Sequence, residues 1–398
     1  MSKETPAWRK ENIRIEFDLS PGERVWRNRQ RMLERHGYLL RPRFRPDWVP
    51  SWLNTAKRPL LCEDGLFTRF LPFIIDAERL SDGLKVMLKV VDRDSKEAQI
   101  GTYLSSQDHA KDPTNHCVPI LDIIRDESEP CVEFIVMPVL RPFDHPPFFN
   151  VEEVLDFMKQ ALQGLVFMHK LGVAHREKRL QWPVHYQANT CSNSNIMFDA
   201  VGMFPKGFHP CFWDLDTGGK PTIPLRRSDV PRVKYFFTDF GISSRFLEGE
   251  PRLVLGLNGL DRDVPELSGF NLYDPFPVDV FILGNVFKRN FTSKYTNMQF
   301  MASLVEAMTH REPTKRPSAS EALARYEEIA SALPGYVRRR RLKEIGKGNL
   351  ASLLHDIGSL RRECSFVFCS MFKACSCGVA SHGSPVNASL DESHAIAY

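Results

Sequence analysis

A chain of 398 residues exceeds what one ordinary domain needs, although a single two-lobed domain with tails would fill it. Charged residues make up 26% of it but balance to a net charge of only +4, which leaves no global electrostatic footprint for nucleic acid or an anionic membrane surface. The stretch from Met1 to Asn12 is charged, and the longest apolar run, Phe134 to Leu140, is far short of a membrane span, so a soluble intracellular protein, cytoplasmic or nuclear, is expected.

In chain order, Trp8 to Trp52 mixes charge with aromatics: Arg31 to Arg35 has helical character and Gly37 to Arg43 turns extended, with no motif. From about Leu66 the pattern predicts a β-hairpin, Phe70 to Ile75 and Val86 to Val91 flanking a turn at Ser81-Asp82-Gly83. A short helix over Ser95 to Leu104 follows, then strands over Val118 to Ile124 and Val132 to Val139. Beyond Pro142, Pro146 and Pro147, the segment Val151 to Leu171 places Val154, Leu155, Met158, Leu162, Leu165 and Met168 at three-to-four spacing, the stripe of a helix packed on a core. Two more strands, Asn195 to Asp199 and Lys234 to Asp239, enclose a loop from Gly202 to Pro231, and helices are expected at Asp279 to Lys288, Asn297 to Thr309 and Ser318 to Ala332. Arg338 to Arg341 form a basic run, read as a solvated helix end, and Ala380 to Tyr398 has too little to bury to be expected to fold. The nine cysteines, an odd number without framework spacing, point to reduced thiols; Cys364, Cys369, Cys375 and Cys377 lack the paired C-x2-C spacing of a zinc site.

Chemistry-bearing residues recur along this order. Val86-Met87-Leu88-Lys89 fits a strand whose Lys meets nucleotide phosphates, and Glu97 on the next helix sits where an acidic partner would hold the flexible Lys stem. Alone, such a Lys and Glu are ordinary surface residues. Tyr235 to Phe237 lead into Thr238 and then Asp239-Phe240-Gly241, where a carboxylate can take a metal and the Gly permits a backbone turn. Val264-Pro265-Glu266, then Asp279 heading an apolar helix, then Arg316-Pro317 follow in order. Between these lies a broken signature: His175-Arg176-Glu177 and Cys191-Ser192-Asn193-Ser194-Asn195 are the halves of H-R-D-x-x-x-x-N once the fourteen residues Glu177 to Thr190 are replaced by one Asp.

From about residue 66 to 330 the chain therefore resembles the eukaryotic protein-kinase domain, and the wording of Leu260 to Ser268 resembles a family of fungal kinase-like proteins. The resemblance implies a bilobal α+β fold, a small β-rich lobe over about 66–140 and a larger helical lobe over about 141–335, preceded by an extension, 1–65, and followed by a basic and then cysteine-containing tail, 336–398. It implies ATP and Mg2+ as cofactors, with Lys89 on phosphate, Glu97 orienting Lys89, Asn195 and Asp239 on the metal, and Met137 and Val139 beside the cofactor. It also implies that Glu266 pairs with Arg316, that Asp279 hydrogen-bonds the catalytic-loop backbone, and that the γ-phosphoryl group passes to a protein Ser/Thr. Nucleic-acid and membrane partners are not expected.

Three departures count against ordinary catalysis. No G-x-G-x-x-G precedes Lys89, since Asp64 to Gly83 holds only Gly65 and Gly83. The proton acceptor is Glu177 at best, one methylene longer than Asp and followed by residues that push Asn195 well beyond the spacing of the pattern; a displacement of about 1 Å at a reacting group can cost roughly 100-fold. Between Asp239 and Glu266 only Ser243 and Ser244 can be phosphorylated, both near the start, so a phosphate pairing with Arg176 is not expected. The residues 177–190 have two readings: a loop that disables or gates the site, or translated non-coding sequence, favoured because the flanks rejoin the motif with only the Asp missing. The rival to a kinase is an inactive pseudokinase acting as a binding scaffold; a small-molecule phosphotransferase would lack Val264-Pro265-Glu266 with Arg316.

Overall fold

The computed structural model describes residues 19–53, 55, 62–65, 73–176, 195–209, 212–216, 218–256, 261 and 263–346. Contacts divide the chain into two units, 1–345 and 346–398, and every element below belongs to the first. It is a mixed α+β structure. Glu177, the remainder of the fourteen-residue intrusion, and the C-terminal cysteines lie outside the described residues.

Helix α1, Pro21–Arg35, starts at a capping box: the Ser20 hydroxyl accepts from the Glu23 amide and the Glu23 carboxylate accepts from the Ser20 amide. Its buried residues Trp26, Met32 and Leu33 lie against an antiparallel sheet of five strands in the order β1-β2-β3-β5-β4: β1 Tyr38–Leu40, β2 Ile74–Arg79, β3 Lys85–Asp92, β4 Asp122–Arg125 and β5 Val132–Pro138. The turn between β2 and β3 passes through Gly83 at φ +74°, a conformation that disfavours a side chain. Helix α2, Lys96–Leu104, follows β3 and is capped by the Ser95 hydroxyl accepting from the Ala98 amide.

The second core forms around helix α3, Val151–Lys170. All six residues of its expected stripe are at most 2% exposed, so the periodicity marks the packed face. Against it lie a three-stranded sheet in the order β6 Arg141–Pro142, β8 Ile196–Phe198 and β9 Tyr235–Phe237, and the helices α4 Pro275–Phe287, α5 Ala302–Met308 and α6 Ala319–Ser331. Two short ribbons complete it: β7 Val173–Ala174 with β10 Ser244–Arg245, and β11 Val254–Gly256 with β12 Ser268–Tyr273.

Several expected boundaries are corrected. Within the segment read as an extension up to residue 65, β1 joins the first sheet, pairing with β2 from Tyr38↔Arg79 to Leu40↔Ala77. The first unit also runs past residue 335: the Leu342 amide donates to the Phe149 carbonyl and the Ile345 amide to the Lys294 carbonyl. The hairpin's first strand runs over Ile74–Arg79, the start of the expected Phe70 to Ile75 lying outside the described residues, and the strand expected at Val118 to Ile124 is Asp122–Arg125. The helix expected from Asp279 begins at Pro275, where Asp274 caps and proline needs no intrahelical donor. Asn297 to Thr309 divides into a 3-10 segment, Thr296–Met301, and α5. No helix among the described residues is long and apolar enough to cross a membrane.

Candidate functional site

Lys89 lies in β3, opposite Ile74 on one side and Ile135 on the other. Its ammonium donates to Glu97 Oε1 at 2.5 Å and to Asp239 Oδ1 at 2.8 Å. Glu97 sits in the first turn of α2 and Asp239 lies two residues beyond β9, so sheet, helix and second core each supply one charge. The three side chains are 12%, 12% and 5% exposed. Burial works to lower the Lys89 pKa, but the facing Glu97 and Asp239 carboxylates outweigh it and hold the ammonium above the ordinary lysine range. Gly241 closes this triad from below: a Cβ there would sit 3.2 Å from Asp239 Oδ1 and 3.3 Å from Glu97 Oε2, so any side chain presses on both carboxylates.

His175 and Arg176, directly after β7, converge on the same place. Asp239 at φ 62° and Arg176 at φ 61° both occupy the left-handed region, which costs energy for a side-chain-bearing residue and persists only where the surroundings impose it. The constraint on Arg176 is visible. Asp279 in α4, 4% exposed, accepts the His175 amide on Oδ2 and the Arg176 amide on Oδ1, both at 2.7 Å, and the His169 ring N–H at 3.1 Å. His175 donates from Nε2 to the Thr238 carbonyl at 3.0 Å, while its own carbonyl accepts the Ser243 hydroxyl at 2.8 Å. Burial pushes its pKa down, which favours the neutral ring wedged edge-on against Phe237 and Phe240. Asn195, 3% exposed, accepts the Thr238 amide and hydroxyl on its carbonyl at 2.8 and 3.0 Å, which brings Asn195 beside the residue preceding Asp239.

Among the residues singled out from sequence, Lys89, Glu97 and Asp239 are thus in direct contact, with Asn195 immediately before β8, the strand paired to the one leading into Asp239. Met137 stands opposite Met87 across β5 and β3, half-buried, while Val139, 7% exposed, belongs to the second core. Glu177 lies outside the described residues. Glu266 and Arg316 meet in two parallel hydrogen bonds of 2.6 and 2.8 Å, the Arg316 side chain wholly buried and stacked on Phe281. The supporting roles of Ser243 and Thr238 were not legible in the sequence, because a buried hydroxyl serving one carbonyl leaves no spacing pattern. Of the two serines near the start of the segment after Asp239, Ser244 has its hydroxyl 3.3 Å from Arg176 Nη1, because β10 folds back on β7.

No protein-family model matches this chain, and no curated protein matches it.

Proposed function

We propose that the first unit is a bilobal protein-kinase-like domain that binds ATP with Mg2+ and transfers the γ-phosphoryl group to a protein Ser/Thr, impaired by the interrupted catalytic loop. The observation that carries this reading is the triad of Lys89, Glu97 and Asp239 standing beside a backbone turn that Asp279 holds by two amides. In this reading Lys89, kept charged, meets phosphate oxygens while Glu97 holds its stem. Asp239 and Asn195 offer one carboxylate and one carboxamide, the sparse donor set that suits magnesium when phosphate oxygens and water complete its shell. Bound ATP with Mg2+ would supply the transferable group and the charge that stabilises its passage. His175 and Asp279 fix the turn from which a catalytic base must project, and Glu177 occupies the next position in the chain.

The second reading, a pseudokinase that binds partners without turnover, is supported by the absence of a G-x-G-x-x-G before Lys89 and of the Asp expected after Arg176. One measurement addresses the shared premise: thermal unfolding of the full chain with and without ATP and Mg2+, in the wild type and in Lys89→Ala. The expected result is a nucleotide-dependent rise in Tm that Lys89→Ala reduces; a wild type indifferent to ATP and Mg2+ removes the nucleotide reading and leaves the scaffold.

A further inference from the structure

The stretch that supplies Asp239 touches α2 at both ends. Near the helix start, Gly241 lies under the Glu97 carboxylate. At the last turn, the Arg245 guanidinium lies over the Tyr103 ring, 3.5 Å from its centroid. Arg245 is itself fixed in β10, where it pairs with Val173 of β7, and the Tyr103 ring meets His109 edge-on at 4.8 Å, which in turn meets Phe167 of α3 at 6.0 Å. The far end of a nine-residue helix is therefore gripped between the second core and a cation stacked on its last aromatic ring.

We propose that Arg245 is a positioning residue of the candidate nucleotide site: by seating its guanidinium on Tyr103 it holds the pose of α2 that keeps Glu97 on Lys89. The inference deepens the reading above and rests on it for its link to nucleotide. Tilting a short helix about its centre moves its two ends oppositely, so release at Tyr103 withdraws Glu97 from the ammonium. The attraction comes from the negative ring face and needs a cation, not a particular hydrogen bond, so lysine preserves it in part and alanine abolishes it. A partly exposed stack of this kind is too weak to hold the fold, and its loss is felt locally.

The test uses the full chain with Arg245→Ala, Arg245→Lys, Tyr103→Leu and Tyr103→Phe, read by hydrogen exchange over residues 96–104 and by titration with ATP and Mg2+. Expected are faster exchange confined to residues 96–104 and a roughly two- to fivefold weaker ATP affinity in Arg245→Ala and Tyr103→Leu, with Arg245→Lys and Tyr103→Phe close to wild type. Combining Arg245→Ala with Tyr103→Leu should add little to either alone. Unchanged exchange in α2 on Arg245→Ala, or acceleration spread over the whole first unit, overturns the proposal. Should the wild type bind no ATP while α2 still loosens on Arg245→Ala, the nucleotide reading falls and the hold of Arg245 on the helix stands.

Discussion

Replacing Asp279 by Ala removes at once the acceptors of the His175 and Arg176 amides, each 2.7 Å from a different carboxylate oxygen. The His175 amide is buried, and leaving such a donor unpaired costs about 1–3 kcal/mol. The Arg176 amide is closer to solvent and costs less, and the His169 ring loses its contact at 3.1 Å, so the total for Asp279→Ala is about 2–4 kcal/mol. Asp279→Asn is informative because it keeps volume: its carboxamide oxygen still accepts one amide while its NH2 opposes the other, for a cost of about half as much, about 1–2 kcal/mol. Urea unfolding supplies the free energies, and hydrogen exchange at residues 173–176 shows whether the turn opens locally. The left-handed backbone at Arg176 should relax as soon as its amide is released, so exchange there should rise even in the Asn variant. If Asp279→Ala and Asp279→Asn both unfold within about 0.5 kcal/mol of wild type with exchange unchanged, the account of how this turn is held is wrong.

Breaking the Glu266 to Arg316 pair by Glu266→Ala should cost about 3–5 kcal/mol in urea unfolding, because it leaves a guanidinium whose side chain is 0% exposed with backbone carbonyls but no opposing charge; a loss under about 1 kcal/mol would contradict that. Gly241→Ala should weaken any ATP-dependent thermal shift with little change in Tm, since its Cβ would press on the Asp239 and Glu97 carboxylates; an unchanged shift would show that the triad yields freely. Burial pushes the Asp144 carboxyl up to about 6, against a backbone hydrogen bond and the attraction of Arg227 and Lys294, and its Oδ1 has no hydrogen-bond partner among the described residues. Its raised folded pKa stabilises the fold fully below the unfolded value and loses that stabilisation as pH rises through about 6, so Asp144→Asn should flatten the stability profile between about pH 4 and 6 and gain about 1–3 kcal/mol at pH 7. A profile identical to wild type would count against a raised Asp144 carboxyl. Restoring an Asp directly before Cys191 while deleting Glu177 to Thr190 should raise phosphoryl transfer to a generic basic protein by about 10²–10⁴, the usual worth of a general base; equal background turnover in both chains would favour the scaffold.

Elements that announce themselves locally were legible in the amino-acid order. The apolar spacing from Val154 to Met168 specified a helix and its buried face, Ser95 marked the start of α2, and Ser81-Asp82-Gly83 marked a hairpin turn. Each is a property of a few neighbouring residues: a period, a cap or a permissive φ. The candidate site was legible for a different reason, that Lys89, Glu97 and Asp239 stand within recognisable short motifs, although nothing in those motifs measures a distance between them.

What only the tertiary structure decided is the set of contacts made across long stretches of chain. Lys89 and Asp239 are 150 positions apart and meet because β3 and the end of β9 are carried to one place by separate cores. Strand β1, within a segment that carries no motif, joins the first sheet because backbone pairing with β2 satisfies its amides and carbonyls whatever its side chains. Ser244 reaches Arg176, and Arg245 reaches Tyr103, only because β10 turns back onto β7. Hydrogen bonds and ion pairs of this kind depend on position in space and leave no period in the sequence, so residue order names the groups and the folded backbone chooses their partners.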